Sequence, residues 1–243
     1  ISSWWFQQTN HIVPNHIVYD KFNYVLLARR CKVFPIEFVV RSYMTGSTQT
    51  SIWQNYKPQL NTSDRFITFC GHNLRPGYNK NDKLDEILLT PTTKSDEHDR
   101  PISKREIIDE GIMTQEHWDI CEKYALDLFE FGQQKCEERG LILVDTKYEF
   151  GIDSDGRIVL VDEIHTPDSS RYWIAHNYEE RMANNLEPDH IDKEFIRIWV
   201  KDTYKNPYEP GLEITIPDEQ ITTLSSRYLM LHEMITGNEL TIY

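Results

Sequence analysis

The longest regular pattern of apolar positions lies between Thr114 and Gly140. Apolar side chains recur there every three or four residues, the spacing of one helix face: Trp118, Cys121, Ala125, Leu128, Phe129 and Cys136. Thr114 can cap such a helix at its start and Gly140 can end it. We interpret these positions as the buried face of a long helix and not as a cofactor-binding motif.

Strand patterns lie on both sides of this helix. Segments rich in β-branched, aromatic and other apolar residues predict four strands, at residues 24–30, 37–43, 141–150 and 157–161. The turn Asp-Ser-Asp-Gly at 153–156 joins the last two into a hairpin. Residues 54–85 are rich in Asn, Pro, Gly and Asp, and are expected to form loops with short elements.

Cap residues predict further helices. Ser103 and Glu106 form a capping box, and Pro-Asp-Ser precedes a helix expected near Ser170. Asp192 should open a helix to residue 204, and Pro217-Asp218 one that Gly237 ends. Their expected inward positions are Phe195, Ile196, Trp199 and Val200, then Ile221, Leu224, Tyr228, Leu231 and Ile235. Hairpins and blocks of helices without regular alternation favour the α+β class.

Charged residues occupy one face of the strand that follows the long helix. Side chains alternate across a strand, so Asp145, Lys147 and Glu149 share a face, although such residues fill a core poorly. The hairpin brings Asp162 and Glu163 close to them. Crowded carboxylates repel each other unless a cation lies among them, and Mg²⁺ usually binds one or two carboxylates plus substrate phosphates. The alternative is a solvated strand edge.

Composition narrows the possible partners. The 243 residues fit one large domain or two small lobes. With 26 Lys and Arg against 39 Asp and Glu, the net charge of −13 argues against nucleic acid and anionic membranes as partners. An anionic substrate must therefore meet a local basic cluster.

The cysteines and the first residues of the chain bear on the compartment in which the protein is expected. The four cysteines, at 31, 70, 121 and 136, lack the spacing of a zinc site or redox pair. Cys121 and Cys136 fall in the helical pattern and are expected to be buried free thiols. No apolar run spans a membrane, and Ile-Ser-Ser-Trp-Trp-Phe does not resemble a signal peptide. We expect a cytoplasmic protein.

Several motifs occur together. They are Ile-Glu-Phe-Val-Val-Arg-Ser-Tyr-Met-Thr-Gly-Ser at 36–47, Thr-Pro-Thr-Thr-Lys at 90–94 with His98-Asp99, Gly-Leu-Ile-Leu-Val-Asp-Thr-Lys-Tyr-Glu-Phe-Gly at 140–151, and Asp162-Glu163 through Arg171-Tyr-Trp. Asn10-His11 to Pro14-Asn15-His16 adds to them. In this order they resemble the SAICAR synthetase family, the phosphoribosylaminoimidazole-succinocarboxamide synthases of purine biosynthesis. The resemblance covers about residues 4–178 and, more weakly, the remainder.

The resemblance implies a fold and a reaction. The fold is related to protein kinases and ATP-grasp enzymes, with ATP between a small strand-rich lobe (1–34) and a larger α/β lobe (35–243) of one domain. The reaction joins L-aspartate to the carboxylate of carboxyaminoimidazole ribonucleotide (CAIR) through an acyl phosphate. It uses ATP and Mg²⁺ and gives SAICAR, ADP and phosphate.

The resemblance also assigns the nucleotide side of the site. Glu149 and Asp162 correspond to the family's metal-binding carboxylates, and Lys94 corresponds to a lysine of the nucleotide site. Adenine is expected against the strand connection between Ala28 and Val33, as in a kinase-like hinge.

On the substrate side, Arg41, Ser47 and Arg171 align with residues that hold the ribonucleotide. Asp145 and Lys147 align with residues on the substrate side of the cleft and are the candidate catalytic residues. Arginine suits a phosphate because its fork donates two parallel hydrogen bonds.

Other interpretations remain open. The chain could be an inactive nucleotide-binding scaffold of the same fold, and Asp153-Ser-Asp-Gly is a fragment of a calcium loop. His98-Asp99 could supply a base or only loop hydrogen bonds. Trp4, Trp5 and Phe6 are expected in the core or an interface and not in a stacking platform.

One family element is missing from the sequence. The family carries a glycine-rich hairpin with a nearby lysine over the ATP phosphates, whereas no glycine here precedes Gly46. Since the chain begins without Met, we expect an extension before Ile1 that supplies this cover.

Overall fold

The computed structural model describes residues 1–22, 25–59, 65–94, 99–207, 209 and 211–240. The strands of this part are β1 (Ile17–Phe22), β2 (Val25–Ala28), β3 (Lys32–Val33), β4 (Ile36–Tyr43), β5 (Ile67–Phe69), β6 (His72–Leu74), β7 (Lys83–Leu89), β8 (Thr92–Thr93), β9 (Leu141–Ile152), β10 (Ile158–Val161) and β11 (Ser170–Ile174). The helices are α1 (Ser2–Thr9), α2 (Ile52–Tyr56), α3 (Lys104–Asp109), α4 (Gln115–Glu137), α5 (Tyr178–Ala183), α6 (Glu194–Thr203) and α7 (Asp218–Thr236), with a 3-10 turn at Lys57–Gln59. The expected α+β class is confirmed.

Strand β9 is the centre of the main sheet. Strand β4 pairs with its middle and β3 with its end, while β10 and β11 pair along the opposite edge, all antiparallel. Strands β7 and β8 extend the sheet beyond β4, and β1–β2 and β5–β6 form two small separate sheets. The strands predicted at 37–43, 141–150 and 157–161 are confirmed. Of the strand predicted at 24–30, residue 24 lies outside the described residues and Val25–Ala28 is extended.

The predicted long helix packs across this sheet. Its stripe of apolar side chains is buried in the main core, and Thr114 caps it by accepting a hydrogen bond from the His117 backbone N–H. The capping box of Ser103 and Glu106 is also formed. Trp5 and Phe6 are buried in the same core, so their expected packing role is confirmed.

The helix predicted near Ser170 is wrong, because residues 170–174 form strand β11. The Thr166 hydroxyl accepts hydrogen bonds from the backbone N–H groups of Asp168 and Ser169, and Ser170 N–H reaches the Thr166 carbonyl. A single turn capped by Thr166 therefore precedes Ser170, and no helix follows it. The following Arg-Tyr-Trp-Ile then pairs with the edge of β9, since tertiary pairing outweighs the local cap signal.

The two last helices are confirmed, but part of their expected inner face is not. In α6 the four predicted apolar positions are only half-buried, and the buried residue is Glu194. In α7, Leu231 and Ile235 are buried whereas Ile221 is 52% exposed. Cys121 and Cys136 are buried free thiols, as expected. None of the helices in the described ranges combines the length and apolar character that crossing a membrane requires.

Candidate active site

Three charged residues lie side by side across three neighbouring strands. Asp145 of β9 pairs with Arg41 of β4 on one edge and with Arg171 of β11 on the other. Asp145 Oδ2 accepts a hydrogen bond from Arg41 Nη1 at 3.1 Å and from Arg171 Nη1 at 2.6 Å. Arg41 Nε also donates to Thr90 Oγ1 at 2.8 Å. One carboxylate therefore holds two guanidinium groups in fixed positions.

Helix α6 adds a second carboxylate and a third guanidinium. Glu194 accepts a hydrogen bond from Arg171 Nη2 at 3.3 Å and lies 3.5 Å from Arg197 Nη1. Asp192, expected as the helix cap, accepts from the Glu194 backbone N–H at 2.7 Å and from the Tyr172 N–H at 2.8 Å. The arginine cluster is defined here as Arg41, Asp145, Arg171, Glu194 and Arg197.

Ion pairing overcomes burial at two members of the arginine cluster, Glu194 and Arg171. Burial would raise the pKa of Glu194, but Arg171 above all lowers that pKa to about 2. Burial would also lower the pKa of Arg171, yet Asp145 and Glu194 hold it above its ordinary value. For Arg41 burial prevails over Asp145 and the pKa is lowered. With three guanidinium groups and two carboxylates, the cluster has a positive excess.

A cavity of about 190 Å³ opens beside the arginine cluster. Its walls come from β4, β9, β11, the start of α6 and the segments around Thr48 and Asp168. Five cationic and four anionic side chains line it among the described residues, although the chain as a whole carries −13. This local excess of positive charge suits an anionic ligand. The predicted residues Arg41, Asp145, Lys147 and Arg171 all line it.

The sequence interpretation missed the contribution of α6 to this cavity. Lys193 and Arg197 line it and Glu194 lies behind it, but the segment was predicted only as a capped helix with an apolar face. A signal was present in the sequence. Lys193 and Arg197 are four residues apart and so share a helix face, close to two acids at the start of the helix.

Ser47 follows a glycine that the cluster requires. Gly46 has φ +108°, and a Cβ there would lie 2.4 Å from Ser51 Cβ and 3.2 Å from Arg171 Nη2. Only glycine therefore permits this close approach. Ser47 Oγ is buried near Glu194 without reaching hydrogen-bond geometry to any described group. Ser47 is not among the side chains that line the cavity.

Further along β9 lies a more open group of charges. Lys147 Nζ donates to Glu149 Oε1 at 2.7 Å and to Asp162 Oδ2 at 3.0 Å, and lies 3.5 Å from Glu37 Oε1. Lys94 Nζ donates to the other Glu149 oxygen. The lysine cluster is defined as Glu37, Lys94, Lys147, Glu149 and Asp162. The predicted convergence of carboxylates on one lysine is confirmed.

The charges of the lysine cluster stabilise each other. Burial would lower the pKa of Lys147, but Glu149 and Glu37 outweigh burial and raise that pKa above its ordinary value. Burial would raise the pKa of Asp162, and Lys147 instead lowers it. Asp162 has a left-handed backbone, with φ +62°, which turns its side chain back toward β9. Lys147 is therefore a permanent cation at neutral pH.

Two carboxylates of the lysine cluster form a donor set that fits Mg²⁺. The oxygens of Glu149 and Asp162 already converge on one cation, the Lys147 ammonium. Magnesium needs only one or two carboxylates when phosphates supply other ligands. No group of three or more His, Cys, Asp or Glu side chains that could hold a metal ion occurs in the described part of the chain.

The strand connection expected to meet adenine lies at the end of β9. Ala28 ends the exposed strand β2, and Val33 of β3, 43% exposed, pairs with Gly151. A Cβ on Gly151 would lie 3.0 Å from the Lys32 carbonyl oxygen, so the connection packs closely on β9. The exposed side of this connection is open to a ligand.

Two predicted acidic motifs do not join the clusters. Glu163 accepts a hydrogen bond from the Thr166 hydroxyl and stabilises the loop after β10. Asp153, in the possible calcium loop, accepts hydrogen bonds from Arg157. His98, which was expected to supply either a base or only loop hydrogen bonds, lies outside the described residues.

Comparison with known proteins decides the family. The family model described as SAICAR synthetase matches residues 1–214. The chain belongs to the SAICAR synthetase family. A phosphoribosylaminoimidazole-succinocarboxamide synthase of Legionella pneumophila (strain Paris) is 52% identical over 236 residues, which cover 97% of this chain and 73% of that protein.

Two further SAICAR synthetases extend the comparison. The chloroplastic enzyme of Arabidopsis thaliana is 52% identical over 241 residues, 99% of this chain and 57% of that protein. The structure of SAICAR-synthase from Saccharomyces cerevisiae complexed with SAICAR superposes with a TM-score of 0.76 at 26% identity, and the match covers 99% of this chain and 80% of that one. The resemblance inferred from the motifs is confirmed.

Proposed function

We propose that this chain catalyses the ATP-dependent ligation of L-aspartate to the carboxylate of CAIR, giving SAICAR, ADP and phosphate in purine biosynthesis. The observation that carries this proposal is the placement of the arginine and lysine clusters along one strand, β9. An anion-binding site for a ribonucleotide thereby adjoins a carboxylate site for a metal-bound nucleotide.

The chemistry requires both clusters. A carboxylate is a poor acylating agent, so its oxygen first attacks the γ-phosphorus of ATP and ADP leaves. The amine of aspartate then attacks the acyl carbon, phosphate leaves and the nitrogen loses a proton. Both steps bring anions together, and positioned cations offset the repulsion.

At the nucleotide end, Glu149 and Asp162 would hold Mg²⁺ and Lys94 would contact the phosphates. Bound Mg²⁺ supplies charge neutralisation for the ATP phosphates. Lys94 is half-exposed, so it can leave Glu149 and turn toward a phosphate. Adenine would lie against the connection from Ala28 to Val33.

At the ribonucleotide end, Arg41, Ser47 and Arg171 would bind the phosphate and ribose. Arg171 Nε and Ser47 Oγ are both buried without a hydrogen-bond partner among the described residues. An unsatisfied buried donor costs about 1–3 kcal/mol, so a ligand acceptor at these atoms would be favoured. Lys193 and Arg197 would add charge from α6.

Between the ends, Lys147 and Asp145 take different roles. Because the pKa of Lys147 is raised by its carboxylates, it would act as a fixed cation that stabilises charge on the reacting carboxylate and phosphoryl group, and not as a base. Asp145 is occupied by two guanidinium groups, so it would orient them and not accept a proton.

The direct test is an assay with CAIR, L-aspartate and MgATP. We expect SAICAR, detected by mass spectrometry, with release of one ADP for each molecule formed. Omission of aspartate should abolish SAICAR. Nucleotide binding without aspartate-dependent ADP release would favour the alternative, an inactive scaffold of the same fold.

The proposed compartment is the cytoplasm. The described cysteines are free, which suits a reducing environment. The Arabidopsis relative is chloroplastic, however, so fractionation of the source cells is the relevant measurement.

A further inference from the structure

A buried histidine, His165, belongs to the same loop as Asp162. His165 is 0% exposed, and burial lowers its pKa to about 3, so its ring is neutral at physiological pH. The Trp5 ring lies edge-on to it at 4.6 Å between ring centroids. Its backbone is left-handed, with φ +50°, a strained conformation for histidine.

Helix α4 is adapted to this ring. Gly132 lies within the helix, where glycine costs about 1 kcal/mol relative to alanine. A Cβ on Gly132 would lie 2.4 Å from His165 Cε1 and 3.0 Å from Nδ1. The helix therefore accepts an unfavourable residue where the imidazole approaches its backbone.

Two tyrosines connect His165 to both halves of the site. Tyr148, between Lys147 and Glu149 on β9, shares a hydrogen bond with His165 Nε2 at 2.5 Å. Tyr172, next to Arg171 on β11, donates to the His165 carbonyl oxygen at 2.5 Å. Both phenols keep their protons, because burial raises the pKa of each well above its ordinary value.

We propose that His165 is a positioning residue that fixes the loop 162–169 against β9 and β11, so that Asp162 faces Lys147 and Glu149 before the nucleotide binds. The role rests on the proposed function. His165 contacts no substrate position itself; it acts through Tyr148 and Tyr172. Its side chain is hydrogen-bonded to Tyr148 of β9, and its carbonyl oxygen accepts a hydrogen bond from Tyr172 of β11.

The test compares two tyrosine variants that each lose one buried hydroxyl. Tyr148→Phe removes the hydrogen bond to His165 with little change of shape. Tyr56→Phe is the matched control, because Tyr56 is also fully buried and its hydroxyl bonds the Arg75 carbonyl and Tyr78 N–H in a different core cluster. The two readouts are hydrogen exchange of the backbone amides at 162–169 and equilibrium binding of MgADP.

We expect faster exchange at 162–169 and roughly threefold to tenfold weaker MgADP binding in Tyr148→Phe, the size of one lost hydrogen bond. Tyr56→Phe should change neither. Equal behaviour of the two variants, or faster exchange without weaker binding, would overturn the proposal. Should Tyr148→Phe not fold, Tyr172→Phe carries the same test with the same expected results.

A conservative replacement separates positioning from packing. His165→Gln keeps a group near the Nε2 position that can donate or accept a hydrogen bond, whereas His165→Ala removes it. We expect His165→Gln to restore part of the MgADP affinity lost in His165→Ala; no restoration would contradict the hydrogen-bonding role. If the wild-type protein bound MgADP but formed no SAICAR, the proposed reaction would fail while the exchange comparison still decided the role of His165.

Discussion

The arginine and lysine clusters share strand β9 but differ in burial. In the arginine cluster, the side chains of Arg41 and Asp145 are 4% and 5% exposed. In the lysine cluster, Glu149 is also only 4% exposed, but its partner Lys94 is 51% exposed and Asp162 is 44% exposed. The difference follows from position, because Asp145 has a paired strand on both edges and α6 nearby, whereas Asp162 belongs to a loop.

Because the two clusters differ in exposure, strand β9 can carry a rigid anion-binding site at one end and an adaptable cation site at the other. The arginine cluster is assembled in the protein alone, and its cations are held by buried carboxylates that must stay. The exposed cations of the lysine cluster can change partners, so its carboxylates can pass from a lysine to another cation. Removing one partner of a buried ion pair is strongly destabilising because it leaves an uncompensated buried charge, while exposed pairs contribute little.

The largest expected effect is on stability. Asp145→Asn leaves two buried guanidinium groups without their shared anion, and should lower the free energy of unfolding by about 3–5 kcal/mol. Urea denaturation measures this. The matched change in the lysine cluster is Asp162→Asn. The Asp162 side chain is 44% exposed beside Lys147, so its replacement should cost less than about 1 kcal/mol. Equal losses would abolish the distinction between the clusters.

Turnover, unlike stability, should depend strongly on the carboxylates of the lysine cluster. Glu149→Gln and Asp162→Asn should keep the fold but lower turnover on the order of 100-fold, since each removes one ligand of the nucleotide's metal, an effect of about 3 kcal/mol. The apparent Mg²⁺ requirement should rise as well. Near-normal rates at limiting Mg²⁺ in either variant would remove that residue from the metal site.

The comparison also shows what the sequence contains. The alternation along β9 and the hairpin after it predict that Lys147, Glu149 and Asp162 lie together, because strand geometry and one short turn are local. Glu37 and Lys94 reach the lysine cluster through non-local pairing. The long helix and its cap were predictable for the same reason. Local patterns thus decide which residues share a face.

Non-local pairing explains what could not be predicted from patterns. Strand β11 pairs with β9 although its local cap signal favours a helix, and this pairing brings Arg171 to Asp145. Glu194 is about 50 residues beyond Asp145, and no periodicity indicates that an acid at a helix start is buried beside Arg171. Only the family motif assigned Arg171, and no signal assigned Glu194.

Arg41→Lys should raise KM for the ribonucleotide but not KM for ATP, and the expected effect is of intermediate size. The variant keeps the charge but loses the planar fork, and we expect roughly a tenfold rise in KM for the ribonucleotide, the effect of about 1.4 kcal/mol. KM for ATP should change little, because Arg41 belongs to the buried cluster. Steady-state kinetics with each substrate varied in turn decide this. A similar rise in both constants would place Arg41 outside the ribonucleotide site.

Ser47→Ala should have the smallest effect of these changes. It should weaken ribonucleotide binding without changing the stability of the fold. Since Ser47 Oγ has no hydrogen-bond partner among the described residues, its removal should leave the urea midpoint unchanged. Ribonucleotide binding should weaken roughly twofold to tenfold, the contribution of one hydrogen bond. Thr45→Ser is a control, because the Thr45 hydroxyl is already bonded to Asn81 Oδ1 and its replacement keeps that bond. A loss of stability in Ser47→Ala with unchanged ribonucleotide affinity would mean that the hydroxyl serves the fold and that the arginine cluster binds its anion without it.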